Sequence, residues 1–358
     1  MRRLTVLHFD FERTWRGGQQ QLFWLIEGLK NRGHRSFVLC RRGSELSSKL
    51  KESGIEHAVL SPLFELDLFA ALKASGTIDA LRPDIIHLHS AHAHTVGILA
   101  AKFSKHKPKV VSSRRVDFRI RSRWKYNSVD RIIAISQGVK SVLLSCGIPE
   151  KKISVVHSGV DLSRFEGADG NYLYEEFGIK KGSPVVGMVA ALAPHKDHKN
   201  FLNAAAAVKK EVSEIVFLLA GDGELRDELE GIALRLGLSG SVIFTGFRKD
   251  IPQILSILTV FVMSSYLEGL GTSLIDAEAS SLPIVATRVG GIPEVVADGV
   301  NGFLVPPGDH AALAGKITEL LRNADLRKRF SSAGKIRARD FSKENMADGT
   351  EKVYMELV

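Results

Sequence analysis

The sequence predicts an α/β protein of two doubly wound domains, and three observations carry that reading. Short runs of β-branched and apolar residues alternate with amphipathic stretches, the pattern of parallel βαβ units. The alternation halts once, in a polar, glycine-containing stretch over 159–183, and then restarts. At 358 residues the chain is too long for one ordinary core and suits two domains of roughly 100–200 residues each.

Taken in order, the first half reads as strands at LTVLHF, SFVLC, HAVL, IIHLH, KVVSS, RIIAIS and ISVVHS, with helical segments between most of them. The second half reads as strands at VVGMVA, IVFLLAG, VIFTG, VFVMSS, PIVAT and GFLVP. Among its intervening helices are NFLNAAAAVKKE, ELRDELEGIALRLG and HAALAGKITELLRN. The segment FSKENMADGTEKVYMELV reads as a terminal helix with Ser342 as N-cap. The expected division is 1–165, 166–340 and a terminal helix over 341–358.

Composition sets outer bounds. A hydrophobic share of 44% and a charged share of 25% exclude disordered and fibrous classes. No apolar run approaches the ~20 residues of a membrane span. Met1 to Asp10 enters a strand pattern directly, so no signal peptide is expected. Cys40 and Cys146 are expected to be reduced, buried thiols of a cytosolic protein. The net charge of +9 is uneven: residues 1–165 carry 28 Lys+Arg against 14 Asp+Glu, and residues 166–358 carry 21 against 26. The densest basic stretch is RRVDFRIRSRWK, Arg114 to Lys125. It suits an anionic partner; without base-stacking or helix-turn-helix patterns, no nucleic-acid partner is expected.

Ligands of doubly wound sheets bind beyond the carboxyl ends of the strands, so function belongs in those loops. Gly17 and Gly18, before a helix, let a backbone approach a ligand closely. The dinucleotide-binding GxGxxG spacing is absent there, and GDGE at 221–224 lacks a third glycine. His87, His89, His92 and His94 have no carboxylate or thiolate beside them, so cleft-lining or packed histidines are expected and no metal site. Lys196 sits where a point charge would neutralise a diphosphate. In EGLGTSLIDAEA, Glu268 to Ala279, a glycine loop enters a helix whose first turn holds Thr272 and Ser273 as donors and possible caps. Asp276 lies four residues after Thr272 on the same face, whereas Glu278 is rotated away. Carboxylates beside a diphosphate make sense if they accept hydrogen bonds from neutral hydroxyls on either side of it.

These residues together resemble the retaining glycosyltransferases of the GT-B fold, specifically glycosyltransferase family four. Ser265 to Asp309 carries most of the resemblance; HSGVDLSRF, the Gly17–Gly18 pair, GDGE and VIFTGF match in order and spacing. The resemblance implies two Rossmann-like domains facing a central cleft, the second binding a nucleotide-sugar and the first its acceptor, with the terminal helix crossing back to the first. It implies that Glu268 contacts sugar hydroxyls, that Asp276 takes the place of a ribose-binding glutamate, and that the loop Gly269, Leu270 and Gly271 with Thr272 and Ser273 holds the diphosphate. Lys196 matches a phosphate-binding lysine, and Phe247 borders the nucleobase. Two departures stand out: Ala191 replaces a common arginine, and Arg114 and Arg115 stand near a strand end where relatives carry histidine. Either arginine is expected to supply a substitute contact in catalysis.

The expected activity is metal-independent and cofactor-free transfer of a sugar from a nucleoside diphosphate-sugar to an acceptor hydroxyl. The basic first half favours a cell-envelope acceptor, glycolipid or saccharide, and peripheral binding of a cytoplasmic protein to the anionic membrane face. Two alternatives stay open: a GT-B enzyme acting on a soluble sugar or sugar phosphate, and a non-catalytic nucleotide-sugar binder.

Overall fold

The computed structural model describes residues 2–120 and 122–358; Met1 and Arg121, the latter within the basic stretch, lie outside the described residues. Two compact units emerge, one running to Gly159 and resuming at Lys343–Val358, the other Val160–Ser342. The boundaries thus fall at 159/160 and 342/343 rather than at 165/166 and 340/341. The polar stretch after Gly159 folds as part of the second unit: Phe165 and Leu173 are buried, and a Cβ on Gly170 would sit 2.3 Å from the Gln253 carbonyl oxygen. Polarity there marks a surface turn with buried anchors, not a free linker.

All thirteen strand segments read from the sequence are strands. In the first unit they are β1 Thr5–Asp10, β2 Arg35–Cys40, β3 His57–Val59, β4 Ile85–Leu88, β5 Lys109–Arg114, β6 Arg131–Ala134 and β7 Ile153–Val155. They form one parallel sheet in the order β3-β2-β1-β4-β5-β6-β7. In the second unit β8 Val185–Val189, β9 Val216–Ala220, β10 Val242–Gly246, β11 Val260–Met263, β12 Ile284–Thr287 and β13 Gly302–Val305 form a parallel sheet ordered β10-β9-β8-β11-β12-β13. In both, the order reverses beside the first strand, as in Rossmann-like sheets. Central strands such as β4, β11 and β12 are buried at every residue, which is why they read as unbroken apolar runs.

The terminal helix Lys343–Met355 packs on the Gly17–Asn31 helix of the first unit. Gly28 permits the approach, because a Cβ there would lie 2.5 Å from the Ala347 Cβ. Arg32 Nε donates to Asp348 at 2.9 Å. Leu4 N–H donates to His34 Nδ1 (3.1 Å), which leaves Nε2 to donate to Glu351 at 2.7 Å. Cys40 is a buried free thiol, raised to about 11 by burial; Cys146 is free and only half-buried, unlike the sequence expectation, because it caps the end of the Gln137–Ser145 helix.

Candidate active site

In the second unit the loops after β8 and β11 are stitched together. The Ser264 hydroxyl lies 3.0 and 2.9 Å from the carbonyl oxygens of Lys196 and Asp197, and Tyr266 N–H donates to the His195 carbonyl at 3.0 Å. Asp197 turns the chain at φ +49° and caps the His198–Glu211 helix by accepting from Asn200 N–H (3.2 Å). This fixes Lys196 beside Glu268, and the two form an ion pair with side chains only 16% and 12% exposed. Ser265 Oγ lies 3.5 Å from the same carboxylate, and Gly291 N–H donates to the Glu268 carbonyl at 3.0 Å. Two residues 72 positions apart are thereby one unit.

The glycines of GDGE serve this loop by packing. A Cβ on Gly221 would lie 1.9 Å from the Ala190 carbonyl oxygen, and one on Gly223 2.5 Å from that of Leu192. Leu192 N–H donates to the Asp222 carbonyl at 3.0 Å. Ala191 is exposed in the same loop.

Gly269, Leu270 and Gly271 lead buried into the Thr272–Ala279 helix. Gly271 is its N-cap, at φ +86°, and no side chain caps the helix. That corrects the capping role expected of Thr272 and Ser273: both lie inside the first turn, half-buried, where backbone N–H groups have no intrahelical acceptor. Burial raises the Asp276 carboxyl to about 7, opposed by the nearby charge of Arg164. Glu278 faces elsewhere, as helical geometry requires: it is fully buried, accepts from the Asn301 side-chain amide, and is raised to about 8 by burial. Phe247, just after β10, is 72% exposed.

In the first unit, Gly17 and Gly18 open the Gly17–Asn31 helix. A Cβ would meet nothing within 4 Å at Gly17 and only Arg115 Cδ, at 3.9 Å, at Gly18, so packing does not demand either glycine. Asp10, at the end of β1, is buried; its carboxylate accepts from Glu12 N–H (3.0 Å) and the Gln19 amide (2.9 Å), and burial raises its pKa. Arg115 donates to the His89 carbonyl at 2.9 Å and to His89 Nδ1 at 3.1 Å. Arg114 donates to the Tyr126 hydroxyl at 3.0 Å and to the Phe118 carbonyl.

The histidines regroup. His8 is in register with His87 across β1 and β4, so His8, His87 and His89 present nitrogens within 4.8 Å of one another, while His92 is exposed and His94 buried elsewhere. Because arginine only donates, His89 Nδ1 accepts and its Nε2 donates to His8 Nδ1 at 3.0 Å. His87 meets the Tyr354 hydroxyl at 2.5 Å and Ser113 Oγ at 2.8 Å. Burial keeps all three neutral, lowering His8 to about 3. A divalent cation among them would face the Arg115 guanidinium, so the donor set suits a packed polar cluster better than a metal. Asp10, His8 and Tyr354 were not singled out in the sequence; the Asp10 signal was its place in HFDFERTWRGG, between a strand and the paired glycines.

Residues 15–164 match the family model described as Glycosyltransferase Family 4, and residues 173–337 match that described as Glycosyl transferases group 1. The chain is 26% identical to the lipopolysaccharide core biosynthesis glycosyltransferase LpsE of Rhizobium meliloti, over 99% of both chains. It is 26% identical to the UDP-Gal:alpha-D-GlcNAc-diphosphoundecaprenol alpha-1,3-galactosyltransferase of Escherichia coli, over 86% of this chain and 85% of that one. Its fold matches that of HepE from Anabaena, solved in complex with UDP-glucose, with a TM-score of 0.86 at 23% identity over 99% of this chain and 100% of the other. Two tandem family matches spanning most of the sequence, on two Rossmann-like sheets, make this chain a GT-B glycosyltransferase of the family-four type.

Proposed function

We propose that the protein transfers a hexose-like sugar from a nucleoside diphosphate-sugar to a hydroxyl of a cell-envelope glycolipid or saccharide, with retention at the anomeric carbon and without a metal. The observation that carries this is the Lys196–Glu268 pair beside the helix entry Gly269–Ser273. A diphosphate competes with Glu268 for Lys196 and takes the backbone N–H groups of the first helical turn. Glu268, released, accepts from the sugar hydroxyls, and Asp276 accepts from the ribose. Lysine and helix then stabilise the charge that develops on the leaving diphosphate, while attack occurs from the face of departure. The UDP-glucose bound to HepE and the lipid-diphosphate acceptor in the name of the Escherichia coli relative support this donor and acceptor class. No described helix is long and apolar enough to cross a membrane, and the basic first half supports peripheral attachment to an anionic face.

Thermal-shift screening with UDP-, GDP- and ADP-sugars identifies the donor, because a ligand that binds only the folded state raises the melting temperature. Lys196→Ala and Glu268→Ala are expected to lower the rate of donor hydrolysis by roughly 100-fold, the scale of losing one stabilising contact to developing charge. Hydrolysis at the wild-type rate in both variants would overturn the assignment. Donor binding with no hydrolysis or transfer by the wild type would identify a non-catalytic binder instead, a reading to which Ala191 lends weight.

A further inference from the structure

Arg115 is half-buried on the wall of a pocket of about 680 Å³ beyond the carboxyl ends of β4 and β5, where a doubly wound sheet meets its ligands. Its Cδ lies 3.9 Å from where a Cβ on Gly18 would stand, at the opening of the Gly17–Asn31 helix. Among the described residues no carboxylate comes within ion-pair distance of it, and both of its hydrogen bonds go to His89. Asp10 acts on its charge through space, but that carboxylate already accepts from Glu12 and Gln19. The ordinary partner of such an arginine is a carboxylate fork, and here it is missing.

The mount that replaces it is neutral. Arginine only donates, so His89 Nδ1 accepts and Nε2 carries the ring proton, which it gives to His8 Nδ1 at 3.0 Å. His8 then has its proton on Nε2, 3.4 Å from Ser36 Oγ, and the chain runs in one direction from Arg115 to Ser36. His89 also packs against His87, with ring centroids 3.9 Å apart, and His87 is tied to the Tyr354 hydroxyl and Ser113. Burial keeps both rings uncharged. A carboxylate in place of His89 would orient the guanidinium equally well and cancel its field; an imidazole nitrogen and a carbonyl orient it and leave its positive charge for another group. Arg114 differs, because its guanidinium lies 5.8 Å from the centre of the Tyr126 ring, a partner for the charge itself.

We propose that His89 is a positioning residue for sugar transfer: it mounts Arg115 as an oriented but unneutralised cation for the negative charge of the reacting complex, and His8, His87 and Tyr354 hold the mount. Of the two arginines at the end of β5, the contact in catalysis then falls to Arg115. The inference rests on the transferase function proposed above.

Donor-hydrolysis kinetics of full-length variants test it, with whichever UDP-, GDP- or ADP-sugar gives the thermal shift. Arg115→Ala is expected to lower kcat roughly 100-fold with donor KM within about twofold of wild type, the split left by a group that acts on developing charge. His89→Ala is expected to lower kcat at least about tenfold, the scale of a misplaced catalytic group. His89→Asn, whose side-chain oxygen replaces Nδ1 as acceptor, is expected to recover most of that loss. His89→Asp offers the same acceptor with a charge, and is expected to fall to the Arg115→Ala level. In the Arg115→Ala background no His89 substitution is expected to cost more than about twofold, because there is no cation left to place. Melting temperatures and tryptophan fluorescence check each fold; should the Asp variant not fold, the Ala and Asn variants and the double variants decide. Equal rates for Asp and Asn, an Asn variant no better than Ala, or losses at Arg115 and His89 that simply multiply would each overturn the proposal. Hydrolysis that depends on Lys196 and Glu268 but is indifferent to Arg115 and His89 sinks this inference alone; indifference to all four sinks the transferase assignment with it.

Discussion

Glu278 offers a sharp test of how the donor-site helix is held. It is fully buried on the back of the Thr272–Ala279 helix, with Oε1 accepting from Asn301 and Oε2 without a partner. Gly334 gives it room, since a Cβ there would lie 3.3 Å from Glu278 Cγ. Burial raises the carboxyl from 4.5 to about 8, with Arg337 and Asn301 drawing it back. The folded pKa lies above the unfolded one, so this group's stabilisation is complete below 4.5 and is lost as pH rises toward 8. The loss across that window is about 5 kcal/mol, at about 1.4 kcal/mol per pH unit. Glu278→Gln keeps the shape and the acceptor for Asn301 but does not titrate. Its stability relative to the wild type is therefore expected to improve by about 1.4 kcal/mol per unit between pH 5 and 7.5, then level off above 8. The second unit contains no tryptophan, so hydrogen exchange of its β11 and β12 amides, corrected for intrinsic exchange rate, is the assay. Stability differences that stay constant across this pH range would refute the reasoning.

Two further outcomes follow from the same physics. Gly271→Ala places a Cβ 2.8 Å from Leu274 Cδ1 at φ +86°; a loss of about 1–3 kcal/mol and a weakened UDP-sugar thermal shift are expected, and unchanged values in both would contradict a strained cap at this helix entry. In the first unit, His8 and His94 are lowered by burial to about 3 and 4, with His87 and His89 well below their usual range. Their stabilisation is complete above the unfolded value of 6.5 and falls with pH, by about 1.4 kcal/mol per histidine at pH 5.5, with the raised Asp10 opposing. Trp15, Trp24 and Trp124 all belong to this unit, so denaturation followed by tryptophan fluorescence should show a lower midpoint at pH 5.5 than at 7.5; equal midpoints would be evidence against neutral buried histidines.

The sheets were legible because parallel strands buried on both faces leave uninterrupted apolar runs such as IIHL, VFVM and IVAT. The boundary at 159–183 was less legible: its polarity is real, yet Phe165 and Leu173 anchor it in the second core, and isolated anchors leave no periodic trace. Register is similarly hidden. Nothing local to His8 signals that it lies opposite His87, because the pairing is set by strand order across 79 residues. The pair Lys196 and Glu268 was readable as two separate candidates, but their salt bridge depends on Ser264 and Tyr266 tying two loops together. GDGE shows the converse: it lacks the third glycine of a dinucleotide-binding loop, and close backbone approach to Ala190 and Leu192 accounts for the two it has.

The acidic character of EGLGTSLIDAEA beside a phosphate-type helix entry resolves once burial is counted. Formal charge gives the stretch three negatives, which would repel a diphosphate. In the fold, burial raises the carboxyls of both Glu278 and Asp276 toward the neutral form, Glu278 turned toward Asn301 and Asp276 with the opposing charge of Arg164 nearby. Glu268 is matched by Lys196. The residual negative field at the first helical turn is therefore much weaker than the sequence implies, while the hydrogen-bonding oxygens remain. Desolvation has separated two properties that a carboxylate normally carries together, its charge and its capacity to accept or donate a hydrogen bond. A site built this way tolerates a polyanion and still reads neutral hydroxyls around it, the combination the proposed nucleotide-sugar demands.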